Sequence, residues 1–295
     1  MSALFPGFAS RRIRTEDGIT INLLTRGDGP PVLLLHGYPQ TLAMWHKVAP
    51  QLARDYTVVC ADLRGYGGSS KPRGLPDHAN YSKRAMARDM ARVMTALGFE
   101  TFHVVGHDRG GRVGHRLARD FGRRVRTLTV LDISPTLKMY QSTTQQFARA
   151  YWHWFFLIQE APLPERLLAG HAPWYILKRL GRGKSGMKHF DKRAVAQYAK
   201  AFKDPRAIHA TCEDYRAAAT IDLVHDRQDL KKKLRMPLLA LWGRHGVIEA
   251  LFDCLADWRE VAVDVRGRAL DCGHFIPEEK PRELLAELRR FLARH

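Results

Sequence analysis

Thr101-Phe102-His103-Val104-Val105-Gly106-His107-Asp108-Arg109-Gly110-Gly111-Arg112 is the stretch on which the fold turns. Thr101 to Gly106 reads as a short apolar strand, and Gly110 to Phe121 as a helix. Between them, Gly106-His107-Asp108-Arg109-Gly110 has the small-x-nucleophile-x-small pattern of a nucleophile elbow. Glycine flanks the turn because a sharp strand-to-helix bend leaves no room for side chains. The residue at the tip is usually serine; here it is Asp108. A carboxylate does not perform serine-type acyl transfer, but it can attack a saturated carbon and form an ester with it. The competing reading is that Asp108 only caps the following helix.

Outward from the elbow the chain alternates strand and helix. Ile19 to Thr25 reads as a strand, and Pro31 to Leu35 as a strand buried on both faces. Met44 to Leu52 reads as a helix, Tyr56 to Ala61 as a strand, Ser82 to Leu97 as a helix and Val125 to Leu131 as a strand. This rhythm predicts an α/β fold with a mostly parallel central sheet flanked by helices. After Pro135 it stops. Residues 136–220 read as helical and aromatic-rich, with Tyr151-Trp152-His153-Trp154-Phe155-Phe156 and Trp174-Tyr175. It returns with a strand at Pro237 to Trp242, a helix at Ala250 to Trp258, a strand at Val261 to Val265 and a helix at Lys280 to Leu292. The expected organisation is a core domain of 1–135 and 221–295 with an inserted helical cap, 136–220. Such a cap would sit over the C-terminal edge of the sheet, where open α/β sheets bind ligands.

Composition narrows the class. The chain has 295 residues, 45% hydrophobic and 26% charged, which suits a globular protein and excludes extended disorder. No run is apolar enough to span a membrane, and Met1 to Ile13 lacks a secretory signal. Four scattered cysteines, Cys60, Cys212, Cys254 and Cys272, argue against a disulfide framework and predict a reduced, cytoplasmic protein. The net charge of +18 favours anions. Because the basic residues are spread along the chain without a base-reading motif, a solvated basic surface and a small anionic substrate are expected, with no nucleic-acid or membrane partner. A homodimer is the base-rate expectation. Ligand spacing suggests neither metal nor organic cofactor.

Further candidates follow other strands. In His36-Gly37-Tyr38-Pro39, the Tyr38 N–H is a candidate oxyanion donor with that of Arg109; a plain turn is the alternative. Asp62-Leu63-Arg64-Gly65-Tyr66-Gly67-Gly68-Ser69 is read as structural. His274, in Asp271-Cys272-Gly273-His274-Phe275, completes a nucleophile, acid, histidine order. The acid is Asp132, in Val130-Leu131-Asp132-Ile133-Ser134-Pro135, with Glu249 and Asp253 as alternatives. Gly246 stands where an Asp is more usual.

Asp108-Arg109-Gly110-Gly111-Arg112, Asp132 and Trp152-His153-Trp154 together resemble the haloacetate (fluoroacetate) dehalogenases of the α/β-hydrolase superfamily, from His36 to His274. The resemblance implies an α/β-hydrolase fold and a hydrolase that attacks a carbon–halogen bond through Asp108, with His274 as general base held by Asp132. It implies that Arg109 and Arg112 bind the substrate carboxylate. Their i, i+3 spacing on one helix face suits a paired guanidinium site, surface ion pairs being the alternative. It further implies that His153, Trp154 and Tyr215 donate to the halide; packing of the cap on the core is the competing reading, and the preferred one for Trp152 and Phe155. The departure is Gly181-Arg182-Gly183, where the family often has Gly-Trp-Gly. Two rivals share the scaffold: an epoxide hydrolase with the same nucleophile, and a non-catalytic ligand-binding protein.

Overall fold

The computed structural model describes residues 3–182 and 186–295. A hairpin of β1 (Ala9–Arg14) and β2 (Thr20–Arg26) leads into β3 (Pro31–Leu35), a 3-10 turn at Leu42–Lys47 and a one-turn helix α1 (Ala49–Leu52). Then come β4 (Thr57–Ala61), α2 (Lys83–Ala96), β5 (Phe102–His107), α3 (Arg109–Asp120) and β6 (Val125–Leu131). Eight helices follow: α4 (Thr136–Gln141), α5 (Gln145–Ala150), α6 (Trp152–Leu157), α7 (Leu163–Leu168), α8 (Ala172–Leu180), α9 (Lys192–Ala201), α10 (Pro205–Ala219) and α11 (Ile221–Gln228). The chain returns to the sheet with β7 (Leu238–Gly243), then α12 (Val247–Leu251), α13 (Cys254–Val261), β8 (Val265–Leu270), α14 (Ile276–Glu279) and α15 (Pro281–Leu292).

The eight strands form one sheet in the order β1-β2-β4-β3-β5-β6-β7-β8. β1–β2 and β2–β4 pair antiparallel, and every later neighbour pairs parallel. The central strands are continuous apolar runs because both faces are covered; Val32 to Leu35 and Val58 to Ala61 have no exposed surface. Parallel pairing has a functional consequence. The segments after β3, β5, β6 and β8, which carry Tyr38, Asp108, Asp132 and His274, all emerge at the same edge of the sheet.

Ser82 begins α2 as its composition suggests, its hydroxyl accepting from Ala85 N–H at 3.1 Å. Three expectations are corrected. The helix expected over Met44 to Leu52 is split at Val48, and Pro50 starts the new turn. The single helix expected over Ala250 to Trp258 is two helices, because Asp253 caps a fresh start by accepting from Ala256 N–H at 2.9 Å. The strand expected at Val261 to Val265 is displaced to Val265–Leu270. β8 lies at the sheet's edge, so Arg266 and Arg268 are accommodated on its open face and the apolar run the reading relied on is absent. The opposite edge strand, β1, was not expected at all. It carries Arg11, Arg12 and Arg14 and is almost wholly exposed. Both edges thus carry arginine, which discourages strand addition and absorbs part of the positive charge. No helix among the described residues is long and apolar enough to cross a membrane.

Candidate active site

The elbow is built by steric exclusion. A β-carbon on Gly106 would lie 2.4 Å from the Gly110 carbonyl oxygen, and one on Gly110 would lie 2.4 Å from the carbonyl oxygen of His36. Asp108 at the tip has φ 48° and ψ −114°, a strained conformation for a residue with a side chain. Its carboxylate makes no capping bond to α3. Instead, Oδ1 accepts from the backbone N–H of Tyr38 at 3.0 Å. The helix-capping reading of Asp108 therefore fails on geometry. Arg109 opens α3, so its N–H is one of the helix's unpaired N-terminal donors. Burial acts to raise the Asp108 carboxyl, but its electrostatic interactions with His274, His107, Arg112 and Arg109 outweigh it and hold it below the usual range.

Asp132 is also in the left-handed region, at φ 54°. Its Oδ2 lies 2.5 Å from Nδ1 of His274, and its Oδ1 accepts from Gly243 N–H at 2.9 Å. The alternatives are occupied elsewhere: Glu249 accepts from the Trp242 indole and Asp253 caps α13. His107 braces His274 from behind, donating through Nε2 to its carbonyl at 2.8 Å. Burial, reinforced by His274, pushes His107 down to about 4, so it is a neutral donor.

The arginines are buried rather than engaged in surface ion pairs. Arg109 differs from the expectation in one respect. Most of its guanidinium is committed to Asp214, Nε donating at 2.9 Å and Nη2 at 2.7 Å, with a third bond to the Asp214 carbonyl. Lys83 and the Tyr66 hydroxyl complete that carboxylate's shell. Only Nη1 of Arg109 lacks a partner. Arg112 has no carboxylate partner among the described residues. Its Nη1 donates to the Ser134 carbonyl and the Thr136 hydroxyl at 3.2 and 2.9 Å, and its Nε is buried and unpartnered.

Aromatic rings enclose these cations. Arg109 lies 4.1 Å from the ring centroid of Tyr215, and Arg112 lies 4.8 Å from that of Trp154. The Trp154 indole N–H and the Tyr215 hydroxyl are buried without partners. His153 stacks on Tyr38 at 6.0 Å, and its Nδ1 accepts from Arg179 Nη2 at 2.9 Å. Burial and the neighbouring Arg179 hold His153 well below its ordinary pKa, which favours a neutral ring, and the same Arg179 Nη2 lies 3.3 Å from its Nε2. Trp152, read as packing of the cap on the core, is 45% exposed and lies over Tyr175 and Arg179.

A small cavity is lined by Asp108, His274, Tyr38 and His153. Arg109, Arg112, Trp154 and Tyr215 do not reach its wall. Residues not singled out by sequence complete it: Pro39, Tyr151, Arg179 and Phe275, together with Arg182. Arg182 belongs to the Gly181-Arg182-Gly183 stretch, of which Gly183 lies outside the described residues. The Tyr151 and Arg179 contributions arise from how α6 and α8 pack, which no local pattern signals. The loop 62–69 is structural: Asp62 accepts from Leu42 N–H and Gly68 N–H at 2.8 Å each, and Arg64 pairs with Asp89.

One other cluster has metal-type ligands, Glu165, His209 and Glu213. Both carboxylates already bind Arg216, at 2.7 and 2.8 Å, and His209 accepts from Gly74 N–H through Nε2. It is an ion-pair network with a cation at its centre.

The comparisons with known proteins agree with this architecture. Residues 30–281 match the family model described as the alpha/beta hydrolase fold. A fluoroacetate dehalogenase of Burkholderia sp. is 48% identical over 98% of this chain and 95% of its own. A soluble epoxide hydrolase of Corynebacterium sp. (strain C12) is 33% identical over 94% of this chain and 95% of its own. Among solved structures, a protein of Nostoc sp. PCC 7120 described as a candidate α/β hydrolase superposes with TM-score 0.96 at 54% identity, over 98% of this chain and 99% of that one. The elbow, the one-edge placement of Tyr38, Asp108, Asp132 and His274, and these matches together make the chain a member of the α/β-hydrolase superfamily, in the family that includes the Burkholderia fluoroacetate dehalogenase.

Proposed function

We propose that this protein is a hydrolytic dehalogenase that converts haloacetates, fluoroacetate or chloroacetate, to glycolate and halide through an ester on Asp108. The observation that carries the reading is a buried Asp108 carboxylate held ionised in the cavity wall, with four buried, unpartnered donors on the residues packed behind that wall: Arg109 Nη1, Arg112 Nε, Trp154 Nε1 and Tyr215 Oη. Buried donors without partners are costly in a folded protein. Carboxylate and halide are the chemistry that would satisfy them.

In the first step Asp108 attacks the α-carbon in line and the carbon–halogen bond breaks with its electron pair on the halide. Arg109 and Arg112 hold the substrate carboxylate. His153, Trp154 and Tyr215 donate to the halide as charge grows on it, where preorganised dipoles act most strongly. In the second step His274, oriented by Asp132, takes a proton from water, which adds to the Asp108 carboxyl carbon. The N–H groups of Tyr38 and Arg109 stabilise the oxyanion. The ester bond then breaks and the product oxygen recovers a proton from His274.

Fluoride- and chloride-selective measurement on fluoroacetate and chloroacetate tests this. Wild-type protein releases halide and Asp108→Asn does not. Epoxide opening is the second reading, favoured by Tyr151, which lines the same cavity as Asp108, and by the Corynebacterium relative. Turnover of styrene oxide without halide release from haloacetates would favour it.

A further inference from the structure

The cavity that holds Asp108 and His274 is lined by two more cations, Arg179 in the last turn of α8 and Arg182 just beyond its end. The mechanism above uses neither for binding. Arg179 is 8% exposed; its Nη2 is spent on His153, and its Nε is buried without a partner. The guanidinium of Arg182 lies over Tyr151 and Phe275, at 5.7 and 6.0 Å from the ring centroids. Among the described residues, no carboxylate forms an ion pair with either arginine. Burial and the field of Arg182 both work against the charge on Arg179. The C-terminal end of α8 offers both some favourable dipole. That does not account for a buried Arg179 and a half-buried Arg182 at the wall of a reaction cavity without a carboxylate partner among the described residues, where a guanidinium is less well solvated than in water.

Stereochemistry says what could meet them. In a backside displacement the nucleophile and leaving group lie on one axis, and three substituents spread around the carbon between them. In a haloacetate these are one carboxylate and two hydrogens. The carboxylate is assigned to Arg109 and Arg112, and the halide to His153, Trp154 and Tyr215. A hydrogen replaced by a longer arm must point at the rest of the cavity wall, to which Arg179 and Arg182 contribute. An alkyl arm would strip water from two cations and return nothing. A carboxylate arm would pair with them, in the planar fork geometry that guanidinium favours.

We propose that Arg179 and Arg182 form a second anion subsite, so that the enzyme accepts 2-halodicarboxylates such as 2-halosuccinate and prefers them to monocarboxylates of equal length. The inference rests on the dehalogenase reading and extends its substrate class. The chemistry balances as before. The carbon–halogen bond breaks with its pair on the halide while a carbon–oxygen bond to Asp108 forms. Water then adds to the Asp108 carboxyl carbon, and the ester opens. The net products are a 2-hydroxydicarboxylate of inverted configuration, halide and one proton.

The test is chloride release by wild-type, Arg179→Gln and Arg182→Gln proteins from chloroacetate, 2-chlorobutyrate and each enantiomer of 2-chlorosuccinate. For wild type, kcat/KM for one chlorosuccinate enantiomer exceeds that for chlorobutyrate at least tenfold. Each substitution reduces that ratio about tenfold, mainly through KM. Chloroacetate turnover with no preference for the dianion overturns the subsite and leaves the dehalogenase reading standing. A dianion preference that survives both substitutions also overturns it. If no substrate yields chloride, the dehalogenase reading fails, and calorimetry with succinate and butyrate decides the subsite alone. Saturable succinate binding, absent for butyrate and weakened about tenfold by Arg182→Gln, supports it; equal or absent binding overturns it.

Discussion

A β-carbon placed on Gly246 would lie 3.3 Å from Oδ1 of Asp132. The two positions, on the turns after β7 and β6, thus aim at one point beside His274. A carboxylate supplied from 246 and one supplied from 132 would be alternative solutions to the same orientation problem, and in this chain the carboxylate that touches His274 is that of Asp132. Gly246 has φ −94° and ψ 175°, a backbone conformation that any residue adopts.

That relationship makes the acid movable. Asp132→Asn should slow ester hydrolysis by about 10³–10⁴, the scale expected when a base loses its orienting carboxylate. The halide burst should survive, because the first step does not use His274 as a base. Adding Gly246→Asp to Asp132→Ser should restore at least tenfold of steady-state turnover. Rapid-quench halide detection beside steady-state assay reads both; loss of the burst together with turnover would contradict the assignment.

The surroundings of Arg109 and Arg112 should differ in what they contribute to stability. Asp214→Asn strands Arg109 and Lys83 without their shared carboxylate, and breaking such a buried pair costs about 3–5 kcal/mol. Arg112→Leu removes a buried cation that has no carboxylate partner. It should leave the urea midpoint nearly unchanged while lowering kcat/KM for haloacetate at least a hundredfold. Equal destabilisation by both changes would show that Arg112 is as structural as Arg109.

Two buried histidines set an acid limit on stability. Burial, together with Arg126 for His103 and with His274 for His107, pushes each down to about 4. In the unfolded chain each titrates near 6.5, with a slope of about 1.4 kcal/mol per pH unit per proton. Between those values the unfolded state binds more protons than the native state. Stability is therefore full above pH ~6.5 and declines toward pH ~4. His115 and His153, also held low by burial, steepen the decline. Urea unfolding at a series of pH values should give an uptake of at least two protons on unfolding at pH 5; a flat profile would contradict buried neutral imidazoles.

The Asp108 carboxyl shifts downward too, but for an acid that favours the charged form. Its pKa is held below the ordinary carboxylate value, so the carboxylate stays ionised as pH falls through that value. The single-turnover halide burst should remain flat down to pH ~4. A burst that titrates away near pH 6 would mean that a group other than this carboxylate limits the first step.

Much of the architecture was legible because it rests on local signals. The Gly106 and Gly110 pair marks a bend that admits no β-carbon, and continuous apolar runs mark the central parallel strands. Asp132 and His274 were legible from chain order. The edge strands β1 and β8 were not, since an edge strand with one open face tolerates the arginines that mask its apolar pattern. The pairing of Arg109 with Asp214 joins residues far apart in the chain and has no local signature. Arg182 could be noticed as a departure from the family pattern. Its place in the same cavity wall as Asp108 depends on the packing of α8, which periodicity does not encode.

The most direct measurement is a single turnover of excess enzyme with chloroacetate in water enriched in oxygen-18, followed by mass spectrometry of the peptide containing Asp108. The covalent account predicts one heavy oxygen in the Asp108 carboxylate and none in the first glycolate released. Label in the glycolate with an unlabelled peptide would mean that water displaced the halide directly, and the account would be wrong.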